Sequence, residues 1–166
     1  MKNIDWNSLG FDYVPTDINA RAYYKDGAWS ELEFTSDEYI KMHMATTCLH
    51  YGSEIFEGLK AYRTAEGNIQ LFRPEQNAQR MIDSAERLCL PALPVEDFLQ
   101  LVKELVKIDA DWVPHSDGTS LYIRPFLLGN DETLGVHAVH NAAFAIIPGP
   151  VGAYYAEGLN PVGIMI

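Results

Sequence analysis

The chain has 166 residues, is 48% hydrophobic and carries a formal charge of -11. A chain near this length buries about 70% of its extended surface, so one domain with one core is the expectation. The acidic surface, with lysines and arginines scattered rather than clustered, disfavours nucleic acid and anionic membranes as partners, and the sequence has neither a run of eighteen apolar residues nor an apolar secretory core in its opening MKNIDWNSLGFDYVPTD.

In chain order, residues 20–35 read as a hairpin, with ARAYY and WSELEF as strands around the turn Lys25-Asp26-Gly27. A second hairpin spans 58–73, where GLKAYR and NIQLFR flank Thr64-Ala65-Glu66-Gly67. The period then changes. Pro74 opens a helix in which Ala78, Met81, Ile82, Ala85 and Leu88 share one face. After Pro91 and Pro94, VEDFLQLVKELVKIDADWV carries a wide apolar stripe, with Glu96 and Asp97 suited to the helix dipole at its start. His115 to Gly118 is a turn. SLYIRPFLL at 120–128 and AAFAIIP at 142–148 are strands, the second apolar on both faces and therefore central. GPVGAYYAEGLNP at 149–161 reads as a linker and PVGIMI as the start of a further strand. These elements give an α+β fold, a mostly antiparallel sheet with flanking helices. The division is an N-terminal α+β domain over 1–156, and over 157–166 the end of a linker and the first strand of a second domain.

Several side chains could carry chemistry. Arg80 lies near the apolar stripe of the first helix, where a guanidinium can grip a phosphate through two parallel hydrogen bonds; the alternative is an ion pair with Asp83 or Glu86 on the same helix. Tyr122 and Arg124 alternate onto one strand face and can present a hydroxyl and a guanidinium to a carboxylate, or form a surface ladder pair. The aromatic run Tyr51, Phe56 and Tyr62 can wall an apolar pocket or pack in a core. Lys60 is either a solvent-facing strand lysine or, if buried, an amine nucleophile. The segment 129–136 is a loop, either a mobile cover or a plain connection. His137 and His140 would suit a metal only on a helix with a third ligand, so no metal site is expected. Cys48 and Cys89 stand far apart and read as buried free thiols in a reducing, cytoplasmic setting.

Five stretches together are more specific than any one residue. LHYGSEIFEGLKAYR, LFRPEQNAQRM, DWVPHSDGTSLYIRP, LLGNDETLGV and PGPVGAYY, in that order, resemble the amino-terminal domain of branched-chain amino acid aminotransferases of pyridoxal-phosphate fold type IV, most closely the subgroup that includes the mammalian enzymes. The resemblance runs from about Gly10 to the end of the chain. It implies that Arg80 binds the phosphate of pyridoxal 5'-phosphate, and that Phe11, Tyr51 and Phe56 line the pocket for the substrate side chain. It further implies that Tyr122 and Arg124 lie on the substrate side of that pocket and that Tyr154 shields the site. The resemblance also implies that Leu134 and Val136 reach into the active site of the other subunit of a homodimer. The implied substrates are leucine, isoleucine or valine with 2-oxoglutarate. D-amino acid aminotransferase and aminodeoxychorismate lyase share the fold type and are the alternatives within it; a stand-alone, non-catalytic binding half is the alternative outside it. In the family the Schiff-base lysine lies in a second domain. Lys2, Lys25, Lys41, Lys60, Lys103 and Lys107 do not stand in its motif, so no catalytic residue is expected in this chain, and the chain alone is expected to be inactive.

Overall fold

In the computed structural model, residues 4–6, 8–155, 158 and 160–165 are described. The boundary expected between residues 156 and 157 lies outside them. Strand β1 (Asn19–Lys25) turns through Asp26 and Gly27, both at positive φ (54° and 85°), into β2 (Ala28–Trp29). That left-handed pair matches the twist of a tight hairpin. β3 (Glu33–Thr35) pairs with the start of β1. Helix α1 (Thr47–Tyr51), β4 (Glu54–Phe56), β5 (Leu59–Arg63) and β6 (Ile69–Leu71) follow. Then come α2 (Pro74–Arg87), α3 (Val95–Ile108), a 3-10 turn at Ala110–Trp112, β7 (Ser120–Gly129) and β8 (Ala142–Val151). The expected α+β class and the mostly antiparallel sheet are what the structure contains. The strands are ordered β2-β1-β8-β7-β5-β6, with β3 on β1 and β4 on β7, and every pairing is antiparallel.

Register assigns the two faces. Leu121, Ile123 and Leu127 of β7 point the same way as Leu59 and Ala61 of β5, Ile55 of β4, Phe144 and Ile146 of β8, and Ala20 and Ala22 of β1; all are buried. The helices cover this face. Phe98 and Leu101 of α3 and Met81 and Ala85 of α2 complete the core, and Phe98 meets Phe144 edge-on at 6.0 Å between centroids, a favoured aromatic geometry. Arg63 joins the layers. Its guanidinium donates to the carbonyls of Ala110 (2.7 Å) and Val113 (3.3 Å), satisfying acceptors beyond the end of α3 with a cation suited to the helix's negative pole.

The opposite face carries Lys60, Phe56, Tyr122, Arg124, Phe126 and Leu128, which are exposed or half-buried. The amino-terminal segment crosses one end of it. The amide of Gly152 donates to the Gly10 carbonyl at 2.9 Å, and a Cβ on Gly152 would stand 2.0 Å from the Leu9 carbonyl oxygen. Only glycine admits that approach.

Three expectations need correction. The apolar stretch after Val95 does not remain one helix to Val113: α3 stops at Ile108 and a 3-10 turn buries Trp112 separately. Leu88 is not on the buried face of α2 but caps its end, exposed, where the chain leaves the helix. The stretch from Gly149 is not a linker from its first residue, because β8 continues to Val151. Past Ile146 this strand pairs with β7 alone, and a one-sided edge tolerates Pro148 and Pro150, whose missing N–H groups need serve no second neighbour. Residues 160–165 carry no strand pairing and are exposed.

Candidate active site

The site residues expected from sequence fall into three adjoining groups on and beside the open face. The first is aromatic. Tyr122 and Arg124 do share a face, and Arg124 Nε donates to the Tyr122 hydroxyl at 2.9 Å. The Arg124 guanidinium lies 4.4 Å from the centroid of Phe56, an attraction between cation and ring quadrupole that holds it flat. Phe11 packs on Tyr122 at 5.3 Å and on Tyr154 at 4.9 Å between centroids. Phe11, Tyr122 and Arg124 line a mainly apolar cavity of about 310 Å³, closed behind by Val14, Ile147 and Gly149. The amino-terminal segment, β7 and β8 thus form the hollow; Phe56 and Tyr154 do not line it but touch two of its walls, Arg124 and Phe11 respectively.

The second group surrounds Arg80. Its partner is neither Asp83 nor Glu86. Glu57, between β4 and β5, accepts from Arg80 Nε at 3.0 Å and from Nη2 at 2.8 Å, while Asp83 is held by Gln79 at 2.9 Å. The hydrogen bonds that Arg80 donates to Glu57, and after them the carboxylate's charge, raise the guanidinium's pKa still further. The Arg80 side chain is 57% exposed and that of Glu57 only 12%. Arg80 nevertheless lines a cavity of about 400 Å³ together with Lys60, Tyr62, Phe72, Arg73 and Asn77. Three cations on one hollow, in a chain of charge -11, suit a phosphate, and Glu57 engages only one edge of the arginine. Lys60 is half-buried on this wall.

The two cavities are neighbours, not one space. Gly58 lines the cationic cavity, and a Cβ there would stand 2.7 Å from the Tyr122 hydroxyl, which lines the aromatic one. A glycine is what lets the phenol lie against the strand.

The third group is the loop between β7 and β8. The Tyr51 hydroxyl donates to the Leu134 carbonyl, so Tyr51 serves as the loop's tether. Leu134 and Val136 themselves are 72% and 81% exposed. The base of the loop is fastened by buried Asp131, whose carboxylate accepts from the amides of His140 and Asn141, both at 2.9 Å, and from the Asn141 side chain at 2.7 Å. The His137 and His140 rings stack at 5.2 Å, and among the described residues no group of three His, Cys, Asp or Glu side chains is placed to hold a metal. Sequence reasoning missed Glu57, Gly58 and Asp131. Glu57 lies 23 residues from Arg80, and no helical or strand period links them.

No family model matches the chain. Among curated proteins, the branched-chain-amino-acid aminotransferase of Haemophilus influenzae is 48% identical over 97% of this chain and 47% of its own length. Branched-chain-amino-acid aminotransferase 2 of Bacillus subtilis is 43% identical over 98% of this chain and 45% of its own. Over nearly its whole length the chain is similar to proteins named branched-chain-amino-acid aminotransferases. It spans about half the length of the curated relatives it matches. The fold agrees. A crystal structure of the T.th. branched-chain amino acid aminotransferase with pyridoxamine 5'-phosphate superposes with a TM-score of 0.64 at 27% identity, over 88% of this chain and 43% of that one. The Escherichia coli branched-chain amino acid aminotransferase gives 0.63 at 26% identity, over 82% and 42%. This domain is therefore the counterpart of the small amino-terminal domain of the branched-chain aminotransferases.

Proposed function

We propose that this chain acts as the amino-terminal half of a pyridoxal-phosphate-dependent transaminase that exchanges an amino group between leucine, isoleucine or valine and 2-oxoglutarate, working as a cytoplasmic homodimer. The observation that carries the proposal is the juxtaposition of the two hollows, one cationic around Arg80 and one aromatic around Tyr122 and Arg124, which meet where Gly58 lies against Tyr122, in a chain whose relatives are named branched-chain-amino-acid aminotransferases.

Arg80 holds the cofactor phosphate, and Lys60 and Arg73 add positive potential to the same cavity. When bound, pyridoxal phosphate supplies the electron sink for the reaction. Phe11, Phe56 and Tyr51 wall the space for a branched aliphatic side chain, where each methylene removed from water contributes about 0.8 kcal/mol. Tyr122 and Arg124 orient the substrate on the other side of that space; the ring of Phe56 and the Tyr122 hydroxyl fix the guanidinium before substrate arrives, which lowers the ordering cost of binding. Tyr154, stacked edge-on with Phe11, excludes water. Leu134 and Val136 project from a fastened loop and serve the partner subunit's site. None of the lysines lies in the family's Schiff-base motif, so the 166-residue chain by itself has no transaminase activity.

The test is a visible spectrum of the full-length protein with pyridoxal phosphate, followed by assay on L-leucine and D-alanine. The expected results are an absorption band abolished by borohydride and turnover of L-leucine. Absence of that band refutes the cofactor assignment, and preference for D-alanine moves the protein to another fold type IV activity.

A further inference from the structure

The carboxylate facing Arg80 is a built fixture. Glu57 Oε2 accepts from Asn77 Nδ2 at 2.8 Å as well as from Arg80 Nη2 at 2.8 Å, and Oε1 accepts from Arg80 Nε at 3.0 Å. The Glu57 amide donates to the Pro125 carbonyl of β7 at 2.9 Å, and Asn77, itself buried, also donates to the Gly58 carbonyl at 3.2 Å. The carboxylate is thus fixed by backbone, by a neighbouring helix and by its low exposure, while the arginine it grips is mostly exposed.

A guanidinium has five N–H donors on two usable edges. Glu57 occupies the side edge, formed by Nε and Nη2. The end edge, formed by Nη1 and the second hydrogen of Nη2, retains the spacing for a bidentate oxyanion. An unheld exposed arginine would have to be ordered when its ligand binds, at a cost in rotamer freedom.

We propose that Glu57 is a positioning residue, holding Arg80 side-on so that its end edge is presented to a phosphoryl group before that group arrives. The inference rests on the reading that Arg80 receives the cofactor phosphate. A carboxylate beside an anion-binding arginine also repels the anion, so the proposal commits to a sign: ordering outweighs repulsion.

The experiment titrates the full-length apoprotein with pyridoxal phosphate and, separately, with pyridoxal, and takes the ratio of the two dissociation constants as the contribution of the phosphate. Glu57→Ala is expected to weaken pyridoxal phosphate binding about tenfold with pyridoxal binding unchanged. Glu57→Gln, which keeps one acceptor for the arginine, is expected to fall between Ala and wild type, and it carries the test if the alanine variant does not fold. Arg80→Ala is expected to lower the ratio further than either Glu57 variant, leaving what Lys60 and Arg73 contribute. If Arg80→Ala leaves the ratio unchanged, the phosphate reading fails and the inference fails with it. If Arg80→Ala lowers the ratio but the Glu57 variants keep or raise it, the positioning role alone is refuted.

Discussion

At the scale of single residues, absent side chains decide as much as present ones. Gly58 has an ordinary backbone conformation, so its requirement is space. The Tyr122 hydroxyl would lie 2.7 Å from an added Cβ, with ring atoms at 3.3 Å. Gly58→Ala is expected to destabilise the chain by about 1–3 kcal/mol, measured from urea unfolding, because a well-packed contact must shift. Repeating it in a Tyr122→Phe background removes the nearest atom and should recover part of the loss; equal losses in both backgrounds would show that the hydroxyl is not the obstacle. Tyr122 and Arg124 were legible in the sequence as a same-face pair, since alternation along a strand is a local property. Gly58 was not, because its constraint comes from a distant strand, nor was the true partner of Arg80, since pairing across elements leaves no period to read.

At the scale of elements, both hairpin turns and both long helices were legible because glycine turns and apolar spacing are encoded within a few residues, but WSELEF is not one strand: it breaks at residues 30–32 between β2 and β3. The ends were less so. Apolar periodicity passes through Ile108 into Trp112, although the helix does not. The loop between β7 and β8 is the element whose behaviour the structure clarifies most. The Asp131 carboxylate closes it by accepting from three N–H groups, the Asn130 amide donates to the Asn141 carbonyl at 2.7 Å, and the Thr133 amide donates to that of Ala45 at 3.1 Å. It is a fastened loop with an exposed tip. Asp131→Ala removes three part-buried hydrogen bonds to a charged group and should cost about 1–3 kcal/mol. Amide exchange of residues 132–139 should quicken more than that of α3. Uniform quickening across the chain would mean that Asp131 stabilises the fold globally and does not specifically fix the loop.

At the scale of the molecule, two weak acids favour the folded chain only while protonated. Burial, and after it the charge of Glu54, raises the Cys48 thiol above its ordinary 9.0, partly opposed by backbone hydrogen bonds. Burial and then Glu38 raise the Tyr13 phenol above 10.0. The unfolded chain releases these protons first as pH rises, so their contribution is complete below about pH 9 and is lost above it. The urea midpoint should therefore fall between about pH 8.5 and 10.5, and Cys48→Ala should flatten the earlier part of that fall. A midpoint that stays level or climbs over this range contradicts the assignment. The overall class of fold could be read from sequence because alternating strands and amphipathic helices announce which surfaces must be covered. The assembly of the site could not, because its walls come from the amino-terminal segment, β7 and β8, which lie far apart in the chain.

The crossing of Leu9 over Gly152 links distant parts of the chain. With the carbonyl of one residue seated where the other would carry a side chain, the entering strap and the departing segment act as a single splint, with Phe11 along one arm and Tyr154 along the other. The two rings therefore meet edge-on at 4.9 Å, each two residues beyond the crossing, so the place of both is set by the one contact that glycine allows.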